Sequence, residues 1–304
     1  MRALVAGPGA EGRFAEVPEP EPGPGQALVE VRHASVNFSD LRHMGRLPEG
    51  TVLGYDAAGV VLRTAEDGTG PREGARVAAF GAGAWAERAA FDTGSLAVVP
   101  DGVDLVRAAA LPMAGLTALR SLRAAGPAPG SRVLVTGASG AVGRLAVQLA
   151  GRAGAHVIAS VSRPERAEQL AAGLGAPVDI VVGLDGVEPV DVVIETVGGP
   201  ALVAAWALLK PGGNLQSVGW ASGQPAVFPP NSTFSLGRAR SLNSFGDVTA
   251  PADDLAHLLA LVAADDISLE IGLAGSWEDL DDAKAAQLGG SLTGKIVLAV
   301  GRTP

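Results

Sequence analysis

The sequence predicts an α/β protein that combines a doubly wound parallel sheet with a β-rich, barrel-like region. Residues 132–166 have the pattern of a strand, a glycine-rich turn, a helix and a second strand. Apolar runs and helical segments then alternate as far as about residue 245, as they do in a parallel sheet. Residues 1–112 instead contain short runs broken by glycine and proline, which is typical of a β-rich region.

Composition excludes several classes of protein. The chain of 304 residues is long enough for two domains, and its net charge of −9 argues against a nucleic-acid or anionic-membrane partner. The absence of cysteine excludes disulfides and thiolate metal ligands. No apolar run reaches the roughly 18 residues of a membrane-spanning helix. The apolar run in the first six residues is too short for the core of a signal peptide. We therefore expect a cytoplasmic protein that binds a small-molecule substrate.

Prolines and glycines divide the β-rich region into short segments. Four prolines within residues 16–25 exclude a helix or a central strand there, because proline lacks the N–H that both require. Residues 27–32 form the first clear strand, in which the apolar residues 29 and 31 alternate with the charged residues 30 and 32. Glycines and small residues at 53–61 predict strands that bend sharply in a closed sheet. Residues 106–125 are helical, with a kink at Pro112 that marks the domain junction.

The glycine-rich turn after residues 133–135 predicts a dinucleotide site. Gly137 can adopt the backbone of a sharp exit from the strand, and Gly140 leaves no side chain between a pyrophosphate and the backbone N–H groups. Gly143 lets the following helix lie close to the sheet, and the start of that helix favours a phosphate. The residues predicted to bind the cofactor here are Gly137, Ser139, Gly140, Ala141, Val142 and Gly143.

The end of the next strand indicates which dinucleotide binds. An NAD site normally has Asp or Glu at this position, to hold the ribose 2′-OH. Here the strand ends in Ser162 and Arg163, with Arg166 close behind, and no acid comes before Glu165. Hydroxyl and guanidinium groups suit a 2′-phosphate, so we predict NADP(H) as the cofactor.

The remaining chain continues the α/β pattern. Apolar strands are predicted at residues 178–182 and 190–194, and the link between them is too short for a crossover helix. Further elements are predicted as a helix at about 200–209, strands at 214–218 and 240–245, a helix at 253–263 and a strand at 295–300.

Several motifs, taken in order, carry a family resemblance. They are Asn37-Phe38-Ser39-Asp40, residues 54–61, residues 109–118, residues 137–143, Glu195-Thr196-Val197-Gly198-Gly199, residues 209–213 and Gly294-Lys295-Ile296-Val297. In this order they make the sequence similar to a zinc-free medium-chain dehydrogenase/reductase of the quinone oxidoreductase branch. The first motif also resembles the related enoyl reductase domains of polyketide synthases.

The resemblance implies an architecture and further site residues. It implies a GroES-like β-barrel domain from residues 1–112 and 246–304, with a Rossmann NADP-binding domain inserted at 113–245. The active site would lie where the two domains meet, with Asn37 near the nicotinamide. Family members usually form homodimers through the edge strand of the Rossmann sheet, which corresponds here to residues 242–245. The further cofactor-binding residues implied are Thr117, Val197, Gly219 and Phe245.

The expected chemistry is hydride transfer from NADPH to a quinone or an α,β-unsaturated carbonyl, without a metal. Asn37, Asp40 and Tyr55 are the predicted catalytic residues, the last two as candidate proton donors. A non-catalytic NADPH-binding protein and a polyketide-tailoring enoyl reductase are the alternatives. A zinc alcohol dehydrogenase would need cysteine ligands, and a short-chain reductase would need a lysine where Gly59 follows Tyr55. The segment from Asp40 to Gly54 is shorter than in relatives, which leaves the substrate open.

Overall fold

The computed structural model describes residues 1–174, 178–234, 236–290 and 292–301, apart from the side chain of Ala10. The chain divides into two compact units. Met1–Leu116 and Val248–Pro304 form one, which we call the terminal unit, and Thr117–Asp247 form the other, the central unit. The sequence predicts domain boundaries at 112/113 and 245/246, and the boundaries between the compact units lie at 116/117 and 247/248.

The terminal unit is mostly β-structure. Its helices are α1 (Phe38–His43), α2 (Leu105–Ala110), α7 (Ala252–Ala263) and α8 (Leu280–Leu288), and α3 (Pro112–Ala125) begins in it. Its strands are β1 (Arg2–Ala6), β2 (Gly12–Glu16), β3 (Gln26–Val36), β4 (Asp56–Arg63), β5 (Arg76–Phe80), β6 (Arg88–Asp92), β7 (Leu96–Val98), β14 (Ile271–Ser276) and β15 (Lys295–Ala299).

One seven-stranded sheet organises the terminal unit. Its order is β14-β15-β3-β4-β5-β7, and β6 also pairs with β3. All pairs are antiparallel except β14 with β15, so the last strand of the chain joins the sheet beside β3. Trp85, Phe91 and Trp277 are nearly inaccessible to solvent within the core that this sheet encloses. Burial of these large apolar side chains stabilises the unit.

The central unit alternates strands and helices. Its helices are α4 (Ala141–Arg152), α5 (Pro164–Ala172) and α6 (Gly199–Ala207). Its strands are β8 (Arg132–Val135), β9 (His156–Val161), β10 (Asp179–Val182), β11 (Val190–Glu195), β12 (Leu209–Ser217) and β13 (Ser241–Ser244).

A six-stranded parallel sheet forms the middle of the central unit. Its order is β10-β9-β8-β11-β12-β13, and every neighbouring pair is parallel. Val133, Leu134 and Val135 of β8 are all fully buried, as expected of a strand covered on both faces. The structure therefore has the predicted combination of a β-rich unit and an open parallel sheet covered by helices.

The structure refines several element boundaries. The link between β10 and β11 contains no helix, as predicted. Pro112 does not kink one helix; Leu111 separates α2 from α3, and Pro112 is the first residue of α3, where its missing N–H costs nothing. β3 continues four residues beyond the predicted strand, because its second half pairs with both β4 and β15. Among the described residues, no helix is long and apolar enough to cross a membrane.

Candidate functional site

The predicted cofactor residues of the central unit lie along one edge of its sheet. Gly137 follows β8, Ser162 follows β9, Val197 follows β11, Gly219 follows β12 and Phe245 follows β13. These are the carboxyl ends of parallel strands. The order of the strands reverses at β8, from which β9 lies to one side and β11 to the other. Open α/β sheets bind ligands outside the carboxyl ends of their strands at such a reversal.

The turn after β8 depends on two glycines. Gly137 has φ of +59°, and a Cβ there would overlap the hydroxyl of Thr196. A Cβ at Gly143 would overlap the carbonyl oxygen of Gly137 and lie 2.7 Å from the Cα of Ala138. Gly143 therefore lets α4 pack directly on the backbone of the turn, which is the close approach that the sequence predicts.

The start of α4 fits a phosphate group. Gly140 is the N-cap residue, and no side chain caps the helix. The N–H groups of the first turn have no partner within a helix, so they suit an anion. Gly140 is exposed, and only the Gly137 carbonyl oxygen lies near the position of a Cβ, at 3.3 Å. Ser139, Ala141 and Val142 around it are half-buried. The residues present therefore fit a dinucleotide pyrophosphate.

The three residues predicted to bind a 2′-phosphate differ in exposure. Ser162 and Arg163 are exposed directly after β9, and the Nε of Arg163 lies 3.8 Å from Glu165 Oε2. Arg166, in the first turn of α5, is only 8% exposed. Arg163 is thus the more accessible cation, and Arg166 is packed into the unit. The end of β9 is a hydroxyl-bearing, cationic site with Glu165 beside it.

A buried glutamate supports the loop after β11. The carboxylate of Glu195 accepts hydrogen bonds from Thr136 Oγ1 at 2.9 Å, Val197 N at 2.9 Å and Gly198 N at 2.9 and 3.1 Å. Burial raises the pKa of Glu195, and these hydrogen bonds oppose that rise. Glu195 therefore fixes the backbone of the loop that contains Val197.

The other predicted cofactor residues occupy defined backbone positions. A Cβ at Gly219 would lie 2.7 Å from the carbonyl oxygen of Thr196, so the chain after β12 runs close to the loop after β11. Phe245 donates its N–H to Ser217 O at 3.1 Å, which extends the pairing of β13 with β12. Thr117 is in the second turn of α3 and is 7% exposed.

In the terminal unit, Asn37 belongs to a buried polar cluster. Lys295 Nζ donates to Asn37 Oδ1 at 2.6 Å and to Asp56 Oδ2 at 3.1 Å. Asn37 Nδ2 donates to Asp56 Oδ2 at 3.0 Å and to Asp40 Oδ2 at 3.1 Å. Asp56 Oδ1 accepts from Met113 N, in the first turn of α3, at 3.0 Å. We call Asn37, Asp40, Asp56 and Lys295 the polar cluster.

Asp40 caps the helix that follows Asn37. Its Oδ2 accepts from the backbone N–H of Asn37 at 2.8 Å as well as from the side-chain amide, while its Oδ1 is buried without a hydrogen-bond partner. Burial and the neighbouring charge of Asp56 raise the pKa of Asp40 to about 7, although Asn37 and Lys295 act in the opposite direction. The carboxyl is thus held inside the unit, where it shapes the start of α1.

Tyr55 is placed differently from the polar cluster. It is 38% exposed, and its ring stacks on Phe80 with 6.1 Å between ring centroids.

The chain has no cysteine to act as a thiolate metal ligand. Nowhere in the described ranges do three or more His, Asp or Glu side chains meet as a possible metal site. These donors do not fit a thiolate zinc centre.

Two residues of the polar cluster were not assigned a role from the sequence. Asp56 and Lys295 stood only in the family motifs, yet they form the buried ion pair that surrounds Asn37, with side-chain exposures of 0% and 4%. The available signal was a lysine in an otherwise apolar strand. Glu195 also stood only in a family motif and was assigned no role. The available signal there was an acid at the end of an apolar strand.

Comparisons with known families agree with both units. A model described as "Alcohol dehydrogenase GroES-like domain" matches residues 23–101, and one described as "Zinc-binding dehydrogenase" matches residues 141–264. The chain is also 34% identical over 232 residues to a pikromycin polyketide synthase component of Streptomyces venezuelae. That match covers 72% of this chain but only 6% of the synthase component.

Solved structures resemble the whole chain. A quinone oxidoreductase from Thermus thermophilus, solved also with NADPH, is 28% identical with a TM-score of 0.81, and the match covers 99% of this chain and 100% of that one. A mycobacterial protein in complex with NADPH is 26% identical with a TM-score of 0.86, over 98% and 100% of the two chains. With its two domain matches and these neighbours, the chain belongs to the medium-chain dehydrogenase/reductase family as a quinone oxidoreductase-like oxidoreductase.

Proposed function

We propose that the chain is an NADPH-dependent enzyme that reduces a quinone or an α,β-unsaturated carbonyl without a metal. The observation that carries the proposal is the carboxyl edge of the central sheet. At this edge α4 begins after the exposed N-cap residue Gly140, and no side chain caps the helix. The exposed residues Ser162 and Arg163 follow β9 at the same edge. This edge offers N–H groups for a pyrophosphate and a guanidinium for a further phosphate.

The preference for NADPH rests on the charge at the end of β9. A 2′-phosphate is a dianion that an exposed arginine can bind with charge-assisted hydrogen bonds, and a ribose hydroxyl gains little from the same group. We assign that role to Arg163 because it is exposed, and Ser162 adds an exposed hydroxyl beside it. Two relatives of this fold were solved with NADPH, which supports the same choice.

When bound, NADPH supplies a hydride, and the reduced substrate takes up one proton. The chain's own residues then have to bind the two partners, orient them and exclude water. Asn37 is proposed to lie near the nicotinamide, held by the polar cluster. Because Asp40 Oδ1 is shielded and Oδ2 is engaged by Asn37, we assign Asp40 to shaping this position rather than to direct contact with substrate. Solvent or the hydroxyl of Tyr55, a residue that is 38% exposed, then remains as the proton source.

Independence from zinc is part of the proposal. One of the matching family models carries a zinc-binding description, but the donor set of this chain lacks thiolates. Without a Lewis acid, the acceptor must already be electrophilic at carbon or at a quinone oxygen. Quinones and enones meet that requirement better than simple aldehydes and ketones, whose carbonyl group a zinc ion would otherwise polarise.

The polyketide synthase relative supports the enone as the acceptor. That component is a far longer protein, so only its matching segment bears on this chain. A polyketide-tailoring enoyl reductase would reduce an α,β-unsaturated acyl thioester, which belongs to the same electrophile class. The quinone oxidoreductase neighbours, which match along their full lengths, support the quinone equally well.

The decisive experiment is an acceptor panel. Oxidation of NADPH and of NADH is followed with quinones, enones and enoyl thioesters at equal concentrations. We expect NADPH oxidation with at least one acceptor class, and slower oxidation of NADH. Tight NADPH binding without turnover of any acceptor would indicate a non-catalytic NADPH-binding protein instead.

A further inference from the structure

We infer that Lys295 is a positioning residue: through its buried ion pair with Asp56 it fixes the side-chain amide of Asn37. This inference rests on the proposed function, in which Asn37 lies near the nicotinamide. Lys295 comes from β15 near the end of the chain, and Asp56 begins β4. Both flank β3, which leads directly into Asn37.

The cluster determines which way the amide of Asn37 points. Oδ1 faces the ammonium of Lys295 at 2.6 Å, and Nδ2 faces two carboxylate oxygens, Asp56 Oδ2 and Asp40 Oδ2. A flipped amide would place its NH₂ group against the ammonium and its oxygen against both carboxylates. Each of those contacts would be repulsive, so the charges select one orientation.

The orientation decides what Asn37 can still offer. Both hydrogens of Nδ2 are used within the polar cluster, so the amide has no donor left for a ligand. Its oxygen accepts from Lys295 and also faces the backbone N–H of Asp40 in the capping box that begins α1. Lys295 therefore helps to fix the direction of the Asn37 amide, and without the ammonium the charges would no longer select that direction.

Asp56 links this amide to a second element. One carboxylate oxygen receives Lys295 and Asn37, while the other receives Met113 N at the start of α3. The N-cap residue of α1 and the first turn of α3 thus donate hydrogen bonds to the two different oxygens of one fully buried carboxylate. Removal of Lys295 alone would leave Asp56 as an uncompensated buried charge, which is strongly destabilising.

The catalytic test compares variants in which the charge is removed with and without compensation. In Lys295→Met/Asp56→Asn both charges are absent, which spares the fold the unpaired carboxylate. We expect kcat for NADPH oxidation to fall at least tenfold and the KM for NADPH to stay within twofold. Lys295→Arg, which keeps the charge, should recover part of kcat. A double variant with the kcat of the unmodified enzyme would overturn the inference.

A second lysine–aspartate pair supplies the matched control. Lys210 Nζ lies 2.9 Å from Asp191 Oδ1 in the central unit and has no role in the proposed site. Lys210→Met should leave both kcat and the KM for NADPH within twofold. A loss of kcat equal to that of the Lys295 variants would mean that any lost ion pair lowers the rate, and would overturn the inference.

A structural readout separates this inference from the proposed function. The chain has four asparagines, so selective ¹⁵N labelling resolves four side-chain amides. In the native protein the amide protons of Asn37 should exchange slowly with solvent, and in the charge-compensated Lys295→Met/Asp56→Asn variant at least tenfold faster. Retained protection would overturn the inference even if activity fell. If the native protein reduces no acceptor, the proposed function fails, and the exchange experiment still decides the role of Lys295.

Discussion

We expect Asp40 to make the stability of the folded protein depend on pH. The pKa of its carboxyl is raised from 3.8 to about 7, so between these values the folded state holds a proton that the unfolded state has released. Its contribution to stability is therefore fully present below about pH 4 and is lost as the pH rises through about 7. We expect the free energy of unfolding to fall by about 1–3 kcal/mol from pH 5 to pH 8 on this account.

Asp40→Asn tests this, because an amide cannot release the proton. Urea unfolding at several pH values should give the variant a flatter profile than the native protein. Asp101→Asn is the control, since Asp101 is fully exposed and should leave the slope unchanged. An unchanged slope in Asp40→Asn would assign the pH dependence to other groups.

Arg163 and Arg166 are predicted to distinguish NADPH from NADH. Replacing Arg163 by Ala should weaken NADPH binding by about 1.5–3 kcal/mol, the value of a charge-assisted hydrogen bond, and change NADH binding little. Arg166→Ala should have the same selective effect. Because Arg166 is buried, its variant is measured together with thermal stability.

The control for both arginines is Arg152→Ala, at the opposite end of α4 from the glycine turn. It should leave titrations with both cofactors unchanged. Equal losses of NADPH and NADH affinity in the Arg163 and Arg166 variants would contradict the assignment of the 2′-phosphate site.

At the scale of elements, the contact between α4 and the turn after β8 has no spare space. In an ordinary helix interior, Gly→Ala gains about 0.5–1 kcal/mol. At Gly143 the added methyl would overlap the Gly137 carbonyl, so we expect Gly143→Ala to lower stability by about 1–3 kcal/mol and to weaken NADPH binding. Gly151→Ala, in the same helix with nothing near its Cβ, should gain stability. Thermal unfolding and cofactor titration of the pair measure the difference.

The distance along the chain between contacting residues explains which parts of the fold could be predicted from the sequence. β8, α4 and β9 are adjacent in the chain, and their apolar periods and glycines describe them locally. Lys295 and Asn37 are 258 residues apart, so no local pattern reveals their hydrogen bond. Likewise β14 pairs in parallel with β15 across an intervening helix, and its alternation is weakened by Gly272 and Gly275. Contacts between distant segments therefore required the structure.

At the scale of the whole molecule, the proposed chemistry should not depend on a metal. Exhaustive dialysis against a chelator should leave NADPH oxidation unchanged, because the chain has no thiolate ligands. Metal analysis of the active protein should find no stoichiometric zinc. Activity that is lost on chelation and restored by zinc alone would contradict the metal-free proposal.

The edge of the central sheet is where we expect two chains to associate. β13 is the last strand of that sheet, and Leu242 in it is 43% exposed. An unpaired edge offers open backbone donors and acceptors, and pairing with a second β13 about a two-fold axis would satisfy them. We therefore expect a homodimer at micromolar concentration by light scattering, at twice the 30.4 kDa mass of the chain.

The hydrogen-bond pattern selects the variant that tests this interface. Phe245 N bonds to β12, so by the alternation of a strand the N–H of Leu242 points to the open edge. Leu242→Pro removes that donor and should shift the protein toward the monomer, with cofactor binding retained as evidence of folding. Leu242→Ala keeps the N–H and should dissociate less. A dimer that persists in Leu242→Pro would place the interface elsewhere on the chain, and a native protein that scatters as a monomer would contradict the assembly itself.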